Sequence, residues 1–316
     1  MRVVTIGGAT VDIIVTSLGA AHRPGAKQDV DHIGLYAGGG AVNAGLGFVT
    51  CGASVSVACA VGADVEGQLL RATLAQRGID VAGVEVVPEV PTGKAVVHVG
   101  ADGEASVFAQ RGASTRLSFA NGLPGMLDAE MLYVSALAEQ TVVKLIGALS
   151  ALSHRPFKLV FNPGARQLAD DRANLTLLLA MADLVCLNAV EAQLLAQVPM
   201  PSRTNHLTPA QAQALAPTIA QHPDQAVLIT LGVKGAVFFD GQQSYHHPAA
   251  KATVMSTLGA GDAFASTFVF HWALGSSPHD ALAAATQRAT VVLGVAPANL
   301  AGPLGRGISH GWFKPC

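Results

Sequence analysis

The chain has 316 residues, of which 50% are hydrophobic and 13% are charged, so it can bury a sizeable core and long disordered segments are not expected. Its formal net charge of -2 gives no bulk attraction to nucleic acid or to an anionic membrane, and an anionic ligand must therefore be held by local geometry. Its four cysteines form no CxxC pair and have no histidines at zinc spacing, which is typical of buried cysteines in a reducing compartment.

Neither of the two most apolar stretches fits a targeting or membrane-spanning segment. Gly7, Gly8 and Asp12 interrupt the N-terminal run before it reaches the pattern of a signal sequence. The stretch at 174–190 contains Asp183 and is too short to cross a bilayer. We therefore expect a cytoplasmic protein with no membrane or nucleic-acid partner.

Short β-branched strands alternate with Ala- and Leu-rich helices along the chain. The predicted strands, apolar on both faces, are 3–6, 55–60, 131–135, 158–162, 183–187 and 226–231. The predicted helices between them are 41–50, 67–78, 141–152, 173–182 and 208–222. This alternation predicts a doubly wound, mostly parallel α/β sheet with helices on both faces. No internal repeat or linker divides the chain, so residues 1–316 are predicted to form a single domain.

Two segments depart from this alternation. Residues 13–36 form a polar segment with proline and glycine, and residues 92–113 contain two short strands around the turn at 100–104. We expect them to form a small β-sheet that projects from the main body as a lid over the sheet edge. An ordinary surface hairpin is the alternative.

Two features near the N-terminus could bind a polyol. Asp12 follows the first strand and supplies a carboxylate that can accept hydrogen bonds from vicinal hydroxyl groups. The segment AGGGAVNAG at 37–45 opens a helix, so the backbone around Gly39 and the Asn43 side chain are accessible to a small hydroxylated ligand. The alternatives are a solvated loop for Asp12 and a plain turn for the glycines.

Two features in the second half point to a nucleotide site at strand ends. Asn188 and Glu191 follow the strand 183–187, and open α/β sheets bind ligands beyond the carboxyl ends of their strands. Glu191 could hold a Mg²⁺ ion that keeps most of its waters, or only stabilise the start of a helix. Thr230 and Gly232 could contact a nucleotide or belong to a plain hairpin. Neither a P-loop motif nor a GxGxxG after the first strand is present.

The segment STLGAGDAF at 256–264 places a glycine turn before a helix predicted over 262–274. Gly259, Ala260 and Gly261 have almost no side chain, so a phosphate can approach the unpaired N–H groups of the helix start. Asp262 either caps this helix or acts as a general base that takes a proton from a hydroxyl group beside the anion hole.

Taken in order, these motifs and VGADVEG at 61–67 resemble the ribokinase-like (PfkB-type) carbohydrate kinase family over roughly residues 3–295. The resemblance implies a doubly wound α/β domain with a β-sheet lid. It also implies transfer of the γ-phosphoryl group of ATP, with Mg²⁺, to a hydroxyl of a small sugar or nucleoside. The implied base is Asp262, and the implied anion hole is Gly259, Ala260 and Gly261. The implied substrate residues are Asp12, Gly39 and Asn43, the nucleotide residues are Asn188, Thr230 and Gly232, and the Mg²⁺ residue is Glu191.

The sequence departs from this family at three places. Ser256 stands where the family carries an aspartate that helps to bind a monovalent cation, so we expect weak or absent activation by K⁺. The segment ATVVLGVAPA at 289–298 keeps Gly294 but otherwise matches the family's cation loop poorly. Thr10 lies where ribokinases carry an asparagine, which leaves sugars other than ribose, and nucleosides, open as acceptors.

Two alternative functions remain open on the sequence. A phosphosugar kinase would need basic residues over the substrate phosphate, and Lys94, Arg111 and Arg116 are the candidates near the lid. A non-catalytic sugar- or nucleotide-binding regulator would have no need for the base that Asp262 supplies. Lid sheets in the resembled family often pair between subunits, which implies a homodimer.

Overall fold

The computed structural model describes residues 1–16, 25, 27, 29–100, 105–120, 122–170, 172–198, 207–254 and 256–294. Three parts of the sequence predictions lie outside the described residues. They are residues 17–24, 26 and 28 of the first lid segment, residues 101–104 of the predicted lid turn, and residues 295–298 of the predicted cation loop.

The described residues form fourteen strands and nine α-helices. The strands are β1 (Arg2–Ile6), β2 (Thr10–Thr16), β3 (His32–Gly38), β4 (Ser54–Gly62), β5 (Ile79–Asp80), β6 (Val84–Val87), β7 (Gly93–Val99), β8 (Ala105–Gln110), β9 (Met131–Ser135), β10 (Lys158–Asn162), β11 (Leu184–Asn188), β12 (Ala226–Thr230), β13 (Ala236–Phe239) and β14 (Ser244–His247). The helices are α1 (Gly40–Thr50), α2 (Val65–Gln76), α3 (Glu139–Ser150), α4 (Ala165–Asp170), α5 (Arg172–Met181), α6 (Ala189–Leu195), α7 (Pro209–Ile219), α8 (Ala260–Ala273) and α9 (Pro278–Leu293). None of the helices in the described ranges is long and apolar enough to cross a membrane.

The main sheet has the strand order β14-β13-β12-β11-β10-β9-β1-β4-β5, and β6 also pairs with β4. The strands from β12 to β5 run parallel, whereas β13 and β14 add an antiparallel edge. The strand order reverses on the two sides of β1, as expected for a doubly wound sheet. The predicted fold class is therefore confirmed.

Helices cover both faces of the main sheet, which explains why its strands read as continuous apolar runs. One face packs against α1, α2, α8 and α9, through side chains such as Phe48, Leu74, Phe268 and Leu282. The other face packs against α3 to α7, through side chains such as Val142, Leu178 and Ala212. The carboxyl ends of the parallel strands are left free of this packing and carry the polar residues described below.

A second sheet has the order β3-β2-β7-β8. Its strands come from both predicted lid segments, but the first segment contributes more regular structure than the sequence indicated. Strands form at both ends of the first segment, since β2 extends through Thr16 and β3 starts at His32, in agreement with the expected small sheet. We call this second sheet the lid sheet.

The lid sheet is fastened to the main body where β7 begins. Asp64 caps α2 by accepting a hydrogen bond from the Gly67 N–H at 2.9 Å, and it also accepts one from the Thr92 N–H at 2.8 Å. Thr92 is fully buried, and its hydroxyl accepts a hydrogen bond from the Gly62 N–H at 2.9 Å. The VGADVEG segment therefore fixes the point at which the chain enters the lid sheet.

Candidate active site

The glycine turn of GAGD forms the start of α8. Gly259 is the N-cap, with a φ of 76° in the left-handed region that favours glycine, and α8 begins at Ala260 rather than at the predicted Asp262. Asp262 lies in the first turn and makes no capping hydrogen bond, because the N-cap position is already occupied by Gly259. The alternative that Asp262 only caps this helix is therefore wrong.

The glycines of this turn leave room beside the helix start. A Cβ atom built on Gly261 would meet no protein atom within 4 Å, so the space next to it is open. Among the described residues, the Gly261 N–H has no partner, whereas the Ala260 N–H points to the Thr257 carbonyl at 3.4 Å. Of the three residues predicted to form an anion hole, Gly259 and Gly261 line the adjacent cavity, and Ala260 does not.

Asp262 is joined to the first glycine-rich motif by a direct hydrogen bond. Asn43, on α1, donates its amide Nδ2 to Asp262 Oδ2 at 2.9 Å, and α1 packs against α8. The predicted substrate residue Asn43 therefore contacts the predicted base. Burial raises the pKa of Asp262 to about 6, the Asn43 hydrogen bond lowers it, and the nearby charge of Asp12 raises it.

Asp12 lies on β2 in the lid sheet and is only 8% exposed. Its Oδ1 accepts a hydrogen bond from the Thr10 hydroxyl at 2.7 Å. Burial raises the pKa of Asp12, and the Thr10 hydrogen bond partly offsets that effect. A Cβ on Gly38 would lie 2.0 Å from Asp12 Oδ2, so only glycine at that position lets the carboxylate keep its place.

Gly39 brings the start of α1 against the turn between β1 and β2. Its φ is 97°, and a Cβ there would lie 2.4 Å from the Gly8 carbonyl oxygen. The Gly8 carbonyl also accepts a hydrogen bond from the Ala41 N–H at 3.2 Å. This close approach of two backbones explains the glycine at 39 independently of any ligand.

Asn188 and Glu191 form a capping box at the start of α6. The Glu191 N–H donates to Asn188 Oδ1, and the Asn188 N–H donates to Glu191 Oε2, both at 2.9 Å. Glu191 is 9% exposed, and burial raises its pKa to about 7, with hydrogen bonds from the backbone of Asn188 and Ala165 opposing the shift. The motif is thus a structural cap whose carboxylate also faces a cavity.

Most of the residues predicted to bind the nucleotide and its phosphates line one cavity of about 270 Å³. It is lined by Asn162, Cys186, Leu187, Asn188, Glu191, Leu228, Thr230, Gly259, Gly261, Asp262 and Ala265. Thr230 is paired in register with Asn188 at the ends of β12 and β11. Gly232 is exposed in the turn that follows, with a φ of 58°, and does not line this cavity.

Asp262 therefore interacts with two groups of residues. It lines the cavity with Glu191 and the glycine turn, and its carboxylate also accepts the Asn43 hydrogen bond and feels the charge of Asp12, neither of which lines that cavity. This arrangement suits transfer of a charged group from the cavity to a hydroxyl near Asp12, with a carboxylate of raised pKa at the boundary.

The three basic candidates near the lid have different surroundings. Lys94 forms an ion pair with Glu66 at 2.5 Å. Lys94 pairs in register with Val11 and Ala95 with Asp12, so Lys94 lies on the opposite face of the lid sheet from Asp12. Arg111 and Arg116 are exposed.

Asn162, at the end of β10, also lines the cavity beside Asn188 and Glu191, and it is not among the residues predicted from the sequence. The available signal is a polar residue that directly follows the buried run KLVF, at the same edge as Asn188.

The chain is similar to proteins of one known family. A model of the pfkB family of carbohydrate kinases matches residues 1–301. The chain is 26% identical to a ribokinase of Haemophilus influenzae over 78% of each chain, and 28% identical to a 2-dehydro-3-deoxygluconokinase of Thermoproteus tenax over 90% of this chain and 87% of that one. A structure of Arabidopsis thaliana ribokinase complexed with ribose and ATP aligns with a TM-score of 0.75 at 21% identity, over 94% of this chain and 95% of that one.

Proposed function

Because the chain belongs to the pfkB family of carbohydrate kinases, we propose that it transfers the γ-phosphoryl group of ATP to a hydroxyl of a small sugar or nucleoside, with Asp262 as the general base. The observation that carries this proposal is the position of Asp262. It lines the cavity beside the glycine turn, burial raises the pKa of its carboxylate to about 6, and the carboxylate also interacts with Asn43 and Asp12.

The proposed chemistry follows from phosphoryl transfer in line with the attacking hydroxyl, which requires positioning and charge stabilisation more than covalent catalysis. Asp262 accepts the proton of the hydroxyl, while the backbone N–H groups at Gly259 and Gly261 donate to the phosphoryl oxygens. Asp12 accepts hydrogen bonds from the acceptor's hydroxyl groups. The Asn43 amide holds Asp262 in one orientation, since its Nδ2 donates to Oδ2.

The donor set in the cavity fits Mg²⁺ bound largely through water. Within the described ranges, no three His, Cys, Asp or Glu side chains form a ready-made metal site. Glu191 and Asp262 nevertheless supply two carboxylates of raised pKa to one cavity, which a cation would stabilise in their charged forms. The metal would supply charge neutralisation for the nucleotide phosphates. Glu191 would hold it, with Asn188 and Thr230 near the nucleotide.

The acceptor we propose is uncharged. The Lys94 ammonium is paired with Glu66 and lies on the opposite face of the lid sheet from Asp12, which gives no support to a phosphosugar kinase. The buried carboxylate of Asp12 favours hydroxyl donors and disfavours a second anion. A non-catalytic regulator is disfavoured because Asp262, a carboxylate of raised pKa, lines the cavity, and such groups are typical of catalytic sites. We place this activity in the cytoplasm, where ATP is supplied.

The proposed reaction can be tested with a panel of sugars and nucleosides. Purified protein is mixed with ATP and Mg²⁺, and release of ADP is followed in a coupled assay for each compound. We expect ADP release that depends on at least one neutral sugar or nucleoside and is lost without protein. No acceptor-dependent ADP release across the panel would contradict the proposal.

The pH profile should show an acid limb set by Asp262. The base acts in its deprotonated form, and its pKa is raised to about 6, so kcat/KM should fall about tenfold per pH unit below that value and level off above it. In the wild type the Asn43 hydrogen bond lowers the pKa of Asp262. Its loss in Asn43→Ala should therefore raise that pKa and move the midpoint to higher pH. A profile that stays flat from pH 5 to 8 would contradict this assignment.

Potassium should have little effect on turnover. Ser256 is almost completely buried, and its hydroxyl already accepts a hydrogen bond from the Leu258 N–H at 3.2 Å. A neutral, engaged oxygen is a weaker cation ligand than a carboxylate. The measurement compares turnover in KCl with turnover in choline chloride at equal ionic strength, and a large stimulation by K⁺ would overturn this expectation.

A homodimer through the lid sheet is supported by an apolar row on its outer face. Leu35, Ile13, Val96 and Phe108 pair in register across the four strands, and Phe108 is 72% exposed. Ile33, on the same face as Leu35, is 63% exposed. A second copy of the same face would bury this row, which is the usual arrangement of a two-fold interface.

The dimer can be tested by placing a charge in that row. Phe108→Asp should weaken dimerisation by on the order of 100-fold, because the change occurs twice in a two-fold interface. Light scattering coupled to size exclusion measures the molar mass across a dilution series. The matched control is Val143→Asp, at an exposed apolar position on α3, which should leave the mass unchanged. A monomeric wild-type protein at all concentrations would contradict the dimer.

A further inference from the structure

A buried phenol is hydrogen-bonded to a residue that lines the cavity. Tyr133, on β9, is fully buried, and its hydroxyl donates to Asn162 Oδ1 at 3.2 Å. Burial raises the pKa of Tyr133 well above its usual value, so the hydroxyl stays protonated and acts as a donor. The hydrogen bond links the central strand β9 to the end of β10.

The Asn162 side chain is held in one orientation by two neighbours. Its Nδ2 donates to the Cys186 carbonyl at 2.8 Å, and this carbonyl can only accept, so the amide nitrogen must face it. Its Oδ1 then faces the Tyr133 hydroxyl. An amide nitrogen carries two N–H groups, and within the part of the chain that the structure describes only one of those on Asn162 has a partner.

The second N–H belongs to a residue that lines the cavity. Asn162 is half-buried, and it lines the cavity together with Asn188, Glu191 and Gly261. It continues the row of polar residues at the carboxyl ends of β10, β11 and β12, of which Asn188 and Thr230 are the other members. A neutral donor in this row can bind an oxyanion without adding to the negative charge of the neighbouring carboxylates.

We propose that Asn162 is a further nucleotide-binding residue, whose free amide N–H donates to a phosphate oxygen of ATP, and that Tyr133 is the residue that positions this amide. This inference rests on the proposed function, because it takes the cavity to be the nucleotide site. The alternative is that the two side chains only tie β9, β10 and β11 together. The two roles differ in what the loss of each side chain does to nucleotide affinity.

The test is direct binding of ADP, and separately of a non-hydrolysable ATP analogue, by isothermal titration calorimetry with Mg²⁺ present. Asn162→Ala should weaken binding of both by about 10-fold or more, since a hydrogen bond to a charged group is lost. Tyr133→Phe keeps the buried ring and removes only the hydroxyl that orients the amide. It should weaken binding about threefold to tenfold, while the melting temperature is recorded for each protein.

The matched control is Tyr245→Phe, which removes a phenol hydroxyl whose partners are Asp240 and Gln243, both outside the cavity. It should leave nucleotide affinity unchanged. Lower melting temperatures in Asn162→Ala and Tyr133→Phe, with the dissociation constants of the wild type, would overturn the inference in favour of a purely structural tie. If the wild type itself binds neither nucleotide, the proposed function fails first and this inference fails with it.

Discussion

Asp262→Asn is expected to lower turnover by on the order of 10²–10⁴-fold, the contribution of a positioned general base. The substitution is isosteric, and the new side-chain carbonyl can still accept the hydrogen bond that Asn43 now donates to Oδ2. The fold of α8 should be unaffected, because Asp262 does not cap this helix. Binding of nucleotide and acceptor should therefore persist while the chemical step is lost.

The measurement is kcat with a saturating acceptor, alongside nucleotide binding in the same protein. Asp280→Asn is a matched control, since Asp280 also lies in the first turn of a helix but pairs with Ser277 at an exposed position. That variant should retain wild-type turnover. Near-wild-type turnover in Asp262→Asn would remove the base from the proposed mechanism.

Asp12→Ala is expected to raise the KM for the acceptor by about 100-fold, with little change in the KM for ATP. The loss corresponds to two hydrogen bonds from acceptor hydroxyls to a charged group, each contributing about 1.5 kcal/mol, the lower end of the usual range. Asp12 is 8% exposed, so water replaces it poorly as a partner for those hydroxyls. The selective effect on one substrate follows because Asp12 lies on the lid sheet and outside the nucleotide cavity.

Initial rates measured against each substrate in turn separate the two KM values. Asp31→Ala, at an exposed position just before β3, is the control in the same sheet. Asp12→Asn offers a second test, because removal of the neighbouring negative charge should lower the pKa of Asp262 and move the acid limb to lower pH. Equal increases in both KM values would contradict the assignment of Asp12 to the acceptor side.

The main sheet was predictable because its strands are buried on both faces. The runs KLVFN and AVLITL, for example, became β10 and β12 with almost the expected bounds. The lid segments were predictable as a small sheet outside the alternation, but the bounds of β2 and β3 were not, because one face of that sheet is exposed and the intervening segment carries proline and glycine. Pairing of β2 with β7, distant in sequence, gives no local signal.

The site was predictable as a set of motifs, and the contacts between the motifs were not. The hydrogen bond from Asn43 to Asp262 joins residues 219 positions apart and depends on how α1 packs against α8. The pairing of Lys94 with Glu66 likewise follows from which face of β7 the lysine occupies. Asn162 could have been found, because it follows a buried strand at the same edge as Asn188.

Phosphorus-31 NMR can follow transfer of a phosphoryl group from ATP to an acceptor hydroxyl at Asp262, with catalytic amounts of protein, ATP, Mg²⁺ and the acceptor selected by the panel. We expect the ATP resonances to be replaced by those of ADP and one phosphomonoester in equal amounts, and Asp262→Asn to form this product far more slowly. ADP accompanied by inorganic phosphate and no phosphomonoester would contradict it.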